Sequence, residues 1–154
     1  MSCSSSTSDP GVLSAGRPRC PPFVDASFEF PLLRAGSFEV PLLVDTGADR
    51  TILAPLDAMR LAGEVGVDIA TLPQGVRSTG VGGQTDTRTV EAIVTLDLFS
   101  TPLTLTILDP LSHTQHIPSL LGRDVLSRFA LIVEQRTNRV LLLEPGEADA
   151  LRLP

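Results

Sequence analysis

The stretch Leu43-Val44-Asp45-Thr46-Gly47-Ala48-Asp49 decides how this chain reads. The apolar run Val40-Pro41-Leu42-Leu43, extended by Val44, predicts a strand that ends in the core. Asp45 follows it directly, and Thr46-Gly47 predicts a tight turn. A carboxylate fixed at the end of a buried strand loses solvation and is constrained in direction. Two such carboxylates facing each other cannot both ionise, so the pair holds one shared proton. Asp-Thr-Gly occurs once in the chain, so a pair of this kind needs two chains. The competing reading is a plain Asp-x-Gly turn whose side chain caps its own backbone.

Upstream of the turn, Phe28, Phe30 and Leu32 alternate, Arg34-Ala35-Gly36 breaks the pattern, and Phe38 and Val40 resume it. This is a hairpin that delivers Asp45 at its far end. Downstream, Thr51-Ile52-Leu53 reads as a strand, and Pro55 to Leu61 as a short helix with Pro55 at its start and Gly63 at its end. Val76 to Thr79, the tip Gly80-Val81-Gly82-Gly83, and Gln84 to Leu98 predict a long glycine-tipped hairpin. Its second arm places Thr89, Glu91, Ile93, Thr95 and Asp97 on one face, and Val90, Ala92, Val94, Leu96 and Leu98 on the other. Leu103 to Leu108 gives another strand, and Leu120-Leu121-Gly122 repeats the apolar-apolar-Gly pattern. Arg123 to Phe129 reads as a short helix, and Ala130 to Val133 and Val140 to Leu143 as strands joined at Thr137-Asn138. Many short strands with glycine turns and one or two brief helices predict an all-β, barrel-like domain.

The 154 residues fit one domain, with 42% apolar and 19% charged residues. Residues 1–22 are rich in Ser, Gly, Pro and Arg and are expected to form a disordered N-terminal tail. The folded domain is expected over 23–144, with a short C-terminal tail at 145–154. Six Phe, no Trp and no Tyr predict an aliphatic core. A net charge of −6 argues against nucleic acid as a partner. All twelve basic residues are Arg. Cys3 and Cys20 both fall in the tail, so no disulfide framework is expected and a reducing compartment fits. No apolar run reaches membrane-span length and no leader pattern opens the chain, so a cytoplasmic protein with no membrane partner is expected.

Three motifs in order, Asp45-Thr46-Gly47-Ala48-Asp49, Thr79-Gly80-Val81-Gly82-Gly83 and Leu120-Leu121-Gly122-Arg123-Asp124-Val125-Leu126, resemble those of the retropepsin-like aspartic proteases. This is the single-domain family used by retroviruses and encoded in many cellular genomes. The resemblance implies a homodimeric endopeptidase in which Asp45 of each subunit holds one water, with no cofactor and no metal. It implies that Thr46 bonds the partner's loop, that Gly47 lets substrate approach, and that Gly80, Val81 and Gly82 form the tip of a closing flap. It implies an ion pair from Arg123 to Asp49, with Gly122 supporting the same turn. Leu43, Ala48, Asp49, Arg50, Ile52, Pro118 and Leu120, with the flap tip, would line the groove for an extended peptide. Core packing alone explains the apolar members of that set equally well.

Asp124 is read as a helix-end carboxylate favoured by the local dipole. Arg50 departs from the retroviral pattern, where the position is often acidic, and is expected to bias a nearby subsite. The stretch Gly63-Glu64-Val65-Gly66-Val67-Asp68-Ile69 is longer than in compact retroviral enzymes and resembles cellular and bacterial members. The C-terminal strands are expected to supply the subunit contact. His113 and His116 sit three apart between Pro110 and Pro118 with no third ligand nearby, which argues against metal. Two rival functions remain: a catalytically silent peptide-binding module of the same fold, and an aspartyl phosphoryl acceptor. The latter lacks the Lys and phosphate loop such chemistry uses.

Overall fold

A computed structural model describes residues 22–80, 83–110, 116–137 and 139–151. Of the tail expected over 1–22, residues 1–21, with Cys3 and Cys20, lie outside the described residues, as do Val81, Gly82 and His113. The strands are β1 (Phe23–Glu29), β2 (Phe38–Val44), β3 (Ile52–Leu53), β4 (Ser78–Gly80), β5 (Gly83–Thr85), β6 (Thr87–Leu96), β7 (Phe99–Leu108), β8 (Leu120–Leu121), β9 (Ala130–Glu134) and β10 (Arg139–Leu143). The helices are α1 (Pro55–Val65), α2 (Arg123–Leu126) and α3 (Pro145–Ala150). Six of the strands close into a barrel in the order β1-β2-β8-β3-β7-β6. The all-β fold read from the pattern is the one observed.

The alternation in β6 does what its period requires. Val90, Ala92, Val94 and Leu96 are buried, whereas Leu98 is fully exposed in the turn to β7, where Asp97 takes φ 51°. β6 and β7 pair from Thr87↔Leu108 to Leu96↔Phe99, so β7 starts four residues earlier than its apolar run suggests. The expected long hairpin is shorter than its pattern. β4 and β5 pair over Ser78↔Thr85 to Gly80↔Gly83, and the chain then leaves that ribbon for the barrel. The ribbon's base is held by the Thr87 hydroxyl donating to the Val76 carbonyl (2.8 Å) and by the Arg77–Asp86 ion pair (2.8 Å).

The core corrects one expectation. It is not purely aliphatic: Phe28, Phe30 and Phe38 are among its largest fully buried side chains, and Phe28 lies opposite Phe38 in the β1–β2 register. A scarce residue type can still concentrate where a barrel needs volume. Leu32, by contrast, is 77% exposed in the turn.

Helix α1 also runs past its expected end. Gly63 is interior, and the helix stops at Gly66, whose φ of +77° is the left-handed conformation that closes a helix at low cost to glycine. The burial of Ala58 and Leu61 offsets the roughly 1 kcal/mol that an interior glycine costs.

β9 and β10 form a separate two-stranded sheet, anchored to the barrel by Leu142 and by an edge-on contact between Phe129 and Phe99 (4.6 Å). Its register puts Leu131, Val133, Val140 and Leu142 on one face, and Ala130, Ile132, Leu141 and Leu143 on the other. Glu134 ties the turn end of the hairpin to Arg136 and Arg139. The Thr137 hydroxyl and then Arg139 lower its pKa from 4.5 to about 2. A depressed carboxylate pKa means this tie is complete above the unfolded value and is lost only as pH falls towards 2. The segment read as a short C-terminal tail carries α3, with Pro145 in its first turn and reciprocal capping between Glu144 and Glu147. Among the described residues no helix is long and apolar enough to cross a membrane.

Candidate active site

β2 carries its alternating Phe38, Val40 and Leu42 into the core and ends at Val44, so Asp45 emerges at the barrel's edge. The Asp45 N–H donates to the Leu121 carbonyl (3.1 Å), and the Ala48 N–H closes the turn onto the Asp45 carbonyl (3.2 Å). The half-buried Asp45 carboxylate accepts the Gly47 N–H through Oδ1 (2.8 Å). Its Oδ2 has no partner among the described residues. The exposed Thr46 hydroxyl likewise has none there. One oxygen is thus aimed by the turn and the other is left for a partner.

Strand β8 is the centrepiece of the site. It pairs parallel with β2 (Leu43↔Leu120) and antiparallel with β3 (Ile52↔Leu120). Leu43, Leu120 and Ile52 therefore stand on three adjacent strands, each half-buried. Ala48 and Pro118 are also half-buried, and Asp49 and Arg50 are exposed. Gly80 ends β4 opposite Gly83, while the tip residues Val81 and Gly82 lie outside the described residues.

α2 locks the turn from below. The Arg123 N–H donates to the Ala48 carbonyl (2.9 Å) and the Asp124 N–H to the Asp49 carbonyl (3.2 Å). The Arg123 guanidinium pairs with the Asp49 carboxylate, both exposed. The Arg50 side chain has no polar partner among the described residues. The charge of Asp49 is therefore compensated by Arg123, and that of Arg50 is not.

Asp124 does more than complement a helix dipole, which corrects the sequence reading. Its carboxylate accepts the Thr51 N–H (2.9 and 3.0 Å), the Thr51 hydroxyl (2.7 Å) and the Val125 N–H (3.0 Å). The Gly122 N–H donates to the same, fully buried Thr51 hydroxyl (3.2 Å). Thr51 was legible only as a strand former, because its partners lie 71 to 73 residues away. Ser119 was missed entirely. It is fully buried, its carbonyl accepts the Leu43 N–H (2.8 Å), and its hydroxyl donates to Asp57 of α1 (2.6 Å).

Among the described residues no three His, Cys, Asp or Glu side chains converge as a metal set. Two surface depressions, of about 160 and 470 Å³, lie beside Leu33 and Val67 and over Asp25 and Glu39, and neither is lined by Asp45.

The barrel, the Asp-Thr-Gly turn at a strand end and the α2 lock are those of a retropepsin-like aspartic protease fold. The aspartyl protease family matches residues 32–125, which hold the Asp45 turn and every barrel strand but β1, and the chain belongs to that family. Among solved structures, the EIAV protease complexed with the inhibitor HBY-793 is similar at 21% identity, over 75% of this chain and 92% of that one, with a TM-score of 0.50. A retropepsin-like aspartic protease from Rickettsia conorii is similar at 21% identity, over 73% and 82%, with a TM-score of 0.51. At these identities the likeness is one of fold. No curated protein matches the chain.

Proposed function

We propose that the chain is an aspartic endopeptidase active as a homodimer, with residues 23–144 as the protease unit. The observation that carries this is the Asp45 carboxylate, aimed by Gly47 through one oxygen with the other unpartnered among the described residues. Two such groups across a twofold axis share one proton and hold one water between them. The ionised carboxylate takes a proton from that water as its oxygen attacks the scissile carbonyl. The protonated carboxyl donates to the carbonyl oxygen, giving a tetrahedral diol. Collapse returns a proton to the departing amine and regenerates the shared-proton pair. Thr46 supports the partner's turn, Gly80, Val81 and Gly82 close over the substrate, and Leu43, Ala48, Ile52, Pro118 and Leu120 form apolar subsites. The partner is a peptide or protein bound as an extended strand.

The second copy covers the Ala130, Ile132, Leu141 and Leu143 face of the β9–β10 sheet. A two-stranded sheet is marginal alone, and this one is apolar on both faces, with Leu141 52% exposed. β9 also follows directly from the helix that locks the Asp45 turn, so contact there and pairing of the carboxylates fit one axis. A twofold interface uses Leu141 twice. Leu141→Asp is expected to weaken the dimer on the order of 100-fold, by lost burial and two desolvated charges. Sedimentation with and without a pepstatin-like transition-state mimic measures this. Unchanged dimer affinity removes this face from the interface, and a wild-type monomer inert to the mimic removes the homodimeric protease.

Arg50, uncompensated beside the turn, favours substrates with an acidic residue flanking the cut. One exposed charge pair of up to about 1 kcal/mol predicts a roughly 5-fold preference in kcat/KM for Glu over Lys there, shrinking as salt is raised. Matched peptide pairs test it, and equal rates remove the assignment.

A further inference from the structure

The segment entering β8 is strapped to α1 by a part-buried hydrogen-bonded pair that the proposed chemistry does not use. The Ser119 hydroxyl, in a fully buried residue, donates to Asp57 Oδ2 (2.6 Å) and accepts the N–H of Ala54 (2.9 Å), which is itself buried. The other Asp57 oxygen accepts from Arg60 (3.1 Å). Arg60 in turn donates to the Glu39 carbonyl (3.4 Å) and lies over the Phe38 ring (5.1 Å). Both Glu39 and Phe38 belong to β2, the strand that carries Asp45. Thus one helix grips both β2 and the segment that enters β8, whose Leu121 carbonyl accepts the Asp45 N–H.

Ser119 is also the residue between Pro118 and Leu120. It turns inward, while its neighbours Pro118 and Leu120, assigned above to the substrate subsites, are half-buried. Neighbours along an extended segment point to opposite sides, so an inward Ser119 fixes where Pro118 and Leu120 stand. A short hydrogen bond to a carboxylate is among the stronger ones, and removing the Ser119 hydroxyl leaves the buried Ala54 N–H without its acceptor.

We propose that Asp57 and Ser119 are positioning residues for the peptide groove: their hydrogen bond holds the Pro118–Leu120 wall at the distance that extended substrate requires. This rests on the reading of the chain as a protease. Because Asp45 is aimed by its own turn and by Leu121, the pair governs substrate binding more than the chemical step.

The test compares Ser119→Ala, Asp57→Ala and Asp57→Asn in the full chain. Kinetics use a peptide with apolar residues around the cut, and the Kd of a pepstatin-like inhibitor is measured in parallel. Rates are scaled to folded dimer by circular dichroism and sedimentation. Ser119→Ala and Asp57→Ala are expected to raise KM and the inhibitor Kd about 10-fold, with kcat per folded dimer within about 2-fold. Asp57→Asn keeps an acceptor for the Ser119 hydroxyl and is expected to bring both constants back to within about 3-fold of wild type. If Ser119→Ala does not fold, the two Asp57 variants decide alone. A KM and Kd equal to wild type once scaled to folded dimer overturn the proposal, because the pair is then only structural. Asp57→Asn as impaired as Asp57→Ala overturns it too. Wild-type protein that binds the inhibitor without cleaving peptide overturns the protease reading, and the ratio of inhibitor Kd values still decides the role of Asp57 and Ser119. Wild type that neither cleaves nor binds overturns both.

Discussion

Asp45→Asn is expected to lower kcat/KM for peptide cleavage by at least about 10³-fold while the dimer survives. The amide has the shape of the carboxylate, and its oxygen can still accept the Gly47 N–H that now binds Oδ1. The turn and the Asp45 N–H bond to Leu121 therefore stay as they are. What goes is the proton traffic. A pair of amides cannot take a proton from water and cannot hold one for the carbonyl. The wild-type profile should be bell-shaped in pH, falling when the pair loses its last proton and when it is fully protonated. Asp45→Asn should show no such bell in whatever rate remains. Chromatographic assay of peptide cleavage, with sedimentation on the same samples, makes the comparison. Near-wild-type turnover would sink the mechanism, and intact inhibitor binding without turnover in wild type would return the chain to the silent peptide-binding module.

Gly122→Ala is expected to cost about 3 kcal/mol and to lower the melting temperature by roughly 10 °C. The backbone at Gly122 is extended, with φ −95° and ψ 179°, so any residue could adopt it. The demand is for space. A Cβ there would fall on the backbone carbonyl of Arg50 and come within 2.8 Å of the Thr51 nitrogen. These are main-chain atoms that cannot rotate aside. Relief requires β8 and β3 to part, which breaks the Gly122–Thr51 bond and loosens the Asp124 carboxylate around it. Leu120 and Ile52 sit on those two strands, so cleavage activity should fall with stability. Thermal unfolding by circular dichroism decides the matter, and a melting point within about 2 °C of wild type would mean that the strands yield at little cost.

The barrel was legible because period-two burial in β6 and the apolar run into Asp45 are local signals. So were the Asp45 turn and the Gly122-Arg123 start of α2. Helix α1 was misjudged at its end because Gly63 and Gly66 look alike in sequence, and only the backbone reveals which of them takes positive φ. Helix α3 was overlooked although Glu144-Pro145 followed by Glu147 is a readable start signal. The Phe core was missed because composition counts residues without placing them, whereas the register sets Phe28 against Phe38. Nothing local in the sequence signalled the cross-chain hydrogen bonds of Thr51, Asp57, Ser119 and Asp124. Each is polar, ordinary in its own segment, and defined by a partner 62 to 73 residues away.

The bond between the Thr51 hydroxyl and Asp124 closes a loop of 73 residues, and the parallel pairing of Leu43 with Leu120 closes one of similar length. Such closures carry a large entropic penalty and raise contact order, which places them late in folding. A nascent or half-collapsed chain would therefore hold its acid on a floppy arm, with no wall to receive a peptide. On the proposed reading, cleavage would be withheld until the whole topology had locked.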